Sequence, residues 1–198
     1  IYANDFDNNG INDVVLSKKY KGEYVPVRGR ECSSQQMPFI KEKFGTYSEF
    51  ANATLSDIYG DELTNAYENE ATEFNSILLL NTGKDGFKKR ILPIEAQQFP
   101  AMNSAFVDLN QDGFKDCILA GNIYETEVET TRLDAISGTV LLSNGNDGYK
   151  TLSKERTGLY LDDNVKDISI INLGTSDLLL NSVNNNRLTE HKIVPIKQ

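Results

Sequence analysis

The chain of 198 residues has one histidine, two cysteines, no basic tract and no eighteen-residue apolar run. His191 lies seven residues from the end among Glu190, Lys192 and Ile193, where a solvated strand edge explains it better than general-base chemistry. No Cys/His or Ser/His/Asp constellation assembles around it, so the sequence offers no nucleophile. Absence of a Lys/Arg tract argues against nucleic acid as a partner. The lack of a long apolar run excludes a membrane-spanning helix. No signal peptide is present, but the chain opens at Ile1 within what reads as a repeat, which points to an upstream segment beyond this sequence. Cys32 and Cys117 could form one disulfide in an oxidising compartment. Cys117 also holds the place that Val14 holds in an earlier copy of the same motif, which reads as a buried thiol packing like a small hydrophobe.

What the chain has instead is acid, at a net charge of −9, and much of it is concentrated in two matched loops. Asp5-Phe6-Asp7-Asn8-Asn9-Gly10-Ile11-Asn12-Asp13 leads into Val14-Val15-Leu16, and 103 residues later Asp108-Leu109-Asn110-Gln111-Asp112-Gly113-Phe114-Lys115-Asp116 leads into Cys117-Ile118-Leu119. Oxygen-bearing side chains fall at loop positions one, three, five and nine, and glycine stands at six, where a tight turn needs a residue without a Cβ. A hard cation such as Ca²⁺ suits that arrangement; an Asx-rich turn without metal is the other reading. An EF-hand would take a bidentate Glu from position twelve and continue into a helix. Position twelve is Leu16 or Leu119, within short apolar runs, so the loops read as β-hairpin turns.

A second motif repeats at an offset of 62 residues: Leu80-Asn81-Thr82-Gly83-Lys84-Asp85-Gly86-Phe87 and Leu142-Ser143-Asn144-Gly145-Asn146-Asp147-Gly148-Tyr149. Each comes after an apolar run and ends on an aromatic beyond Asp-Gly, which predicts a hairpin. A worn third unit starts at Ile168-Ser169-Ile170-Ile171-Asn172-Leu173, where Gly174-Thr175-Ser176 reaches Asp177 early and the ligand positions are lost. Periods of this size mark propellers and other repeat arrays. The wider spacing of the acidic loops places an insertion of about forty residues in the first unit. There Thr46-Tyr47-Ser48-Glu49 has capping-box form and Tyr47, Phe50, Ala51, Leu55 and Ile58 share a helical face. Gly60 closes that helix, Asp61 caps a second with the stripe Leu63, Ala66, Tyr67, Ala71 and Phe74, and a shorter helix runs from Gln35 to Phe44. Both stripes are expected to pack onto the sheets.

The pattern D-x-[DN]-x-[DN]-G-x-x-D before an apolar strand, with L-x-x-G-x-D-G-[FY] later in the unit, resembles the FG-GAP/VCBS repeat of integrin-like β-propellers over roughly residues 1–19 and 76–186. The segments from Val27 to Pro38 and from Thr126 to Thr130 look like parts near the C-terminal end of large secreted bacterial VCBS-repeat proteins. The fold this implies is mainly β, a partial propeller of about three units: 1–100 with a mostly helical insertion over about 20–75, 101–160, and a degenerate unit 161–198. The resemblance implies two structural Ca²⁺ sites, at Asp5, Asp7, Asn9 and Asp13 and at Asp108, Asn110, Asp112 and Asp116, with the backbone carbonyls of Ile11 and Phe114 assisting. Two ions would bring the net charge to about −5, since each loop carries three Asp.

The functional expectation is a noncatalytic binding or scaffold module of a secreted or cell-surface protein, the remaining propeller blades of a longer chain completing it. Its partner would be a glycan or another surface protein. The alternative is a fragment of a carbohydrate-active or other hydrolytic enzyme whose catalytic residues lie outside this chain. Glu125, Glu127 and Glu129 alternate with Thr126, Val128 and Thr130, so a strand here would put three glutamates on one face. That face is either a charged edge that discourages aggregation or a recognition surface to which Arg28, Arg30 and Glu31 contribute.

Overall fold

The computed structural model describes residues 1–128, 130–146 and 148–196. The chain is mainly β, built from several small antiparallel sheets, none of them closed. It divides into two compact units, Ile1–Glu73 and Phe74–Gln198. No helix among the described residues is long and apolar enough to cross a membrane.

In the first unit, β1 (Tyr2–Asn4) and β2 (Asp13–Val15) flank the first acidic loop and pair with Asn4 opposite Asp13. The hairpin of β3 (Ser17–Tyr20) and β4 (Glu23–Pro26) comes after them. Four short helices come next: α1 (Arg30–Gln36), α2 (Phe39–Lys43), α3 (Tyr47–Ala51) and α4 (Leu55–Tyr59). The Thr46/Glu49 capping box forms as the sequence predicts, with both reciprocal hydrogen bonds present. A second box, Thr54 with Asp57, starts α4 and splits the expected single helix in two. Pro38 caps α2, so the predicted 35–44 helix is interrupted at that residue.

The second predicted helix does not form. A 3-10 segment covers Gly60–Asn65, and Tyr67–Glu68 becomes β5, which pairs with the free edge of β1. Leu63 and Ala66 of that stripe pack, partly buried, against the core that holds Tyr2 and Val15 of the sheet, whereas Tyr67 and Phe74 are exposed. Edge pairing with β1 offers the backbone inter-strand hydrogen bonds where the side-chain pattern alone favours a helix. The core of this unit is made by Tyr2, Phe6, Val15, Met37, Ile40, Phe50, Leu55, Ile58 and Tyr59. Phe6, position two of the acidic loop, packs on Tyr59 with ring centroids 4.6 Å apart and planes tilted by 42°, so the loop is anchored by about 2 kcal/mol of aromatic burial.

In the second unit, β6 (Ile77–Asn81) and β7 (Phe87–Ile91) form the first predicted hairpin. Beyond it lies a four-stranded meander made of β8 (Asn103–Val107), β9 (Asp116–Ala120), β10 (Thr139–Ser143) and β11 (Tyr149–Leu152), in the order β11-β10-β9-β8. One helical turn, α5 (Lys154–Thr157), leads to the sheet of β12 (Val165–Asn172), β13 (Asp177–Val183) and β14 (Thr189–Ile193). Val107 faces Asp116 across the second acidic loop, the same register that sets Asn4 opposite Asp13. The worn third loop is a four-residue turn between Asn172 and Asp177. The main core of the unit joins Ala105, Val107, Leu109, Ile118 and Val140 to Val165, Ile168 and Leu179. Leu109, position two of the second loop, is buried here as Phe6 is in the first unit.

Both cysteines are free, Cys32 exposed on α1 and Cys117 buried in β9, where burial, and secondarily Asp116 beside it, pushes the thiol up to about 12. His191 sits on β14, an outer strand of its sheet, opposite Leu179.

Gly121 comes directly after β9 at φ +154°, where an added Cβ would lie 2.3 Å from the Pro100 carbonyl oxygen and 2.4 Å from the Met102 nitrogen. Gly158, after α5 at φ +62°, faces open space. Gly121→Ala is expected to cost roughly 3 kcal/mol against about 1 kcal/mol for Gly158→Ala. Thermal melts of the two variants decide it: equal losses would show that the backbone packing at Gly121 yields.

Candidate metal centre

Each acidic loop folds on the same hydrogen-bond frame. Position one accepts two backbone N–H groups: Asn9 and Gly10 donate to Asp5 at 2.9 and 2.8 Å, and Asp112 and Gly113 donate to Asp108 at 3.1 and 2.9 Å. Position three accepts from the backbone of position five, Asn9 to Asp7 and Asp112 to Asn110, both at 3.2 Å. Position five accepts from position seven, Ile11 to Asn9 at 2.8 Å and Phe114 to Asp112 at 2.9 Å. Position four is left-handed in both, Asn8 at φ 58° and Gln111 at φ 61°, and the position-six glycines share φ 89°. Such a path turns the donors inward and gathers the side-chain oxygens on one side.

Position nine closes the frame. Asp13 and Asp116 are buried, and each accepts the N–H of position two, Phe6 at 3.2 Å and Leu109 at 2.8 Å. The other oxygen of each takes a donor from outside the loop. For Asp116 this is the Ser143 N–H of β10 at 2.8 Å; for Asp13 it is the Gln36 side-chain amide of α1 at 3.2 Å. Burial raises the Asp13 pKa, with Asp7 and Asp5 adding to the rise, while the Gln36 and Phe6 donors oppose it.

The donor set suits a hard cation in type: all oxygens, three of them carboxylates per loop. One carboxylate oxygen from each of Asp5, Asp7 and Asp13 lies within 4.8 Å of the others, the convergence that an ion relieves. The second loop exchanges acid and amide at positions three and five, and there the Asn110 amide donates to Asp112 Oδ2 at 2.8 Å. Side chains at position seven, Ile11 and Phe114, are exposed; their carbonyls are the backbone ligands that the resemblance implies. Bound Ca²⁺ would supply structural cross-linking, drawing four side chains and one carbonyl of a hairpin turn onto one point. In the third copy Asn172 donates to Asp177 at 2.6 Å and accepts from Gly174, so the turn is closed by its own side chains.

The other predicted residues sit in separate local networks. Arg30 Nε donates to the Phe44 carbonyl at 2.7 Å and its guanidinium lies 5.2 Å from the Tyr47 ring. Glu31 pairs with Lys41 at 3.0 Å and accepts from the Tyr47 hydroxyl at 3.2 Å. Arg28 and Glu127 are exposed. Glu129 lies outside the described residues. Among the described residues the expected glutamate strand does not form: 124–127 is irregular, and Thr130 N–H donates to Glu127 O. Glu125 faces Lys166 Nζ at 3.0 Å and accepts from the side-chain amides of Asn164 and Asn184. Side-chain donors at the ends of β12 and β13 thus hold this segment where alternation alone predicts a strand.

Sequence reasoning missed Gln36, Ser143, Asn164 and Lys166. Only the position-nine aspartates hinted that an outside donor was needed. Comparisons with protein-family models, with curated proteins and with solved structures find no match.

Two outcomes are expected. Arg30→Ala should destabilise the first unit by roughly 1–2 kcal/mol, because it removes a charged donor from a carbonyl and a cation from a ring; an unchanged melt refutes a bracing role. Lys166, chiefly, holds the exposed Glu125 carboxyl down to about 2 from its ordinary 4.5. A depressed carboxylate contributes stability that is complete above 4.5 and is lost as pH falls towards 2. Lys166→Met should move the Glu125 titration, monitored by carboxyl NMR, upward; an unmoved midpoint would discard the assignment.

Proposed function

We propose that the chain is a calcium-stabilised, noncatalytic binding or scaffold module of a secreted or cell-surface protein, its sheets being units of a longer FG-GAP/VCBS-type β-propeller. The observation that supports this reading is the frame shared by two loops 103 residues apart, with five matched hydrogen-bond types and two matched left-handed positions. An Asx-rich turn needs some of these bonds but does not require an acidic residue at position nine, buried, in both copies. Three carboxylates converge in the first loop, and the second carries three at positions one, five and nine without such convergence among the described residues; that donor type is a fit for Ca²⁺ at the levels found outside cells, where weak sites are filled. The two hairpin motifs at the 62-residue offset share one closing bond, Thr82 N–H donating to Gly86 O and Asn144 N–H to Gly148 O, and a left-handed glycine, Gly83 or Gly145. That agreement favours a repeat unit, and the four-stranded meander is the form one propeller blade takes. The partner class, a glycan or a surface protein, is carried over from the resemblance.

Calcium binding predicts a melting temperature that depends on the ion. Free Ca²⁺ at a hundred times the dissociation constant adds about 2.7 kcal/mol, roughly 5–10 °C for a chain of this size. Asp5→Ala should remove the response of the first unit and Asp108→Ala that of the second, each leaving the other titratable. Superimposable melts in excess Ca²⁺ and in EDTA, at matched ionic strength, would end the calcium reading for both loops.

A further inference from the structure

The two loops differ in one structural respect, the outside donor to position nine. In the second loop it is a backbone N–H of β10, the strand beside β9 in the same sheet. Such a donor is fixed by the ladder and by no side chain. In the first loop β2 is an outer strand that has β1 alone beside it among the described residues, and no described strand supplies an N–H at that place. The amide of Gln36, last residue of α1, supplies the bond instead. The helix is docked by its neighbours: Met37, directly after it, is buried in the same cluster as Val15 of β2 and Phe6 of the loop.

We infer that Gln36 is the positioning residue of the first cation site, so that this site, unlike the second, is linked to the docking of the helical segment. The inference rests on the calcium reading above. Asp13 has two oxygens, and the donors from Phe6 and Gln36 hold both, which fixes the plane of the carboxylate relative to Asp5 and Asp7. Losing the Gln36 bond frees the carboxylate to rotate, and the ion must then order it on binding. Supporting residues of this type change metal affinity by about ten- to a hundredfold. Linkage is reciprocal, so an ion in the first loop also strengthens the hold on α1. A partner that displaces the helices would release the ion from the first loop while the second keeps its own. The insertion therefore acts as more than a cover on a sheet.

The test uses the full chain and Ca²⁺ alone, with the amide resonances of Gly10 and Gly113 reporting the two loops separately in one titration. Gln36→Leu, which keeps the helix and the bulk but has no donor, should weaken binding at Gly10 about tenfold or more and leave the Gly113 midpoint unchanged. Hydrogen exchange of the α1 amides should slow on adding Ca²⁺ to the wild type and not to Gln36→Leu. If Gln36→Leu does not fold, the wild-type Gln36 side-chain amide decides: a shift on titration supports the role and a silent resonance overturns it. Equal Gly10 midpoints in wild type and Gln36→Leu would overturn the inference and leave the calcium reading standing. A wild-type Gly10 that never responds to Ca²⁺ would overturn both at the first loop.

Discussion

A carboxylate removed from water has to be met by donors on both oxygens, and the ninth position of each acidic loop imposes that condition on everything near it. Desolvating an unpaired carboxylate costs several kcal/mol, more than a hairpin turn returns. Asp13 and Asp116 meet the cost in the same way, by taking the N–H of position two, which also carries the anchoring side chain into the core. Phe6 and Leu109 are therefore buried for two reasons at once. The register of each hairpin is set by the same bond, because sliding either strand by one residue would turn Asp13 or Asp116 out and break the link to position two.

The loops and the two Asp-Gly hairpins were legible because their information is local. Each bond in the loop frame spans two to seven residues, so spacing in the sequence is spacing in the structure. The capping box at Thr46 was legible for the same reason. What failed was long-range. The stripe from Leu63 to Phe74 satisfies a helical period, yet β1 offers an unpaired edge and Tyr67–Glu68 takes it. Alternating glutamates from 125 to 129 satisfy a strand period, yet Glu125 is drawn onto Lys166 and Asn164, about forty residues away. A pattern of side chains states which face is apolar; it does not state whether a neighbouring strand exists to receive the backbone.

Legibility of the candidate site divides along the same line. Positions one, three, five, six and nine are read from the sequence and found in one frame. Gln36 and Ser143 could not be read, because the first lies 23 residues from Asp13 and the second contributes only its backbone. A backbone donor leaves no mark on residue identity. Gln36 leaves one, but an exposed glutamine at the end of a helix has no feature that separates it from Gln35 beside it.

These differences explain how one loop serves two unlike surroundings. The frame supplies most of its own donors, and of the bonds around position nine a single one must come from elsewhere. That one donor has no required chemistry beyond an N–H at the right place. A sheet gives it through the next strand, as β10 does; where the sheet has no next strand, a side chain from a helix can stand in, as Gln36 does. Inserting some forty residues after β2 is then compatible with keeping the loop, provided the insertion returns one amide to the second oxygen of Asp13. In the third copy the loop itself is shortened, and the need for an outside donor disappears with it: Asn172 bonds Asp177 directly, and the hairpin closes without any acidic centre to support.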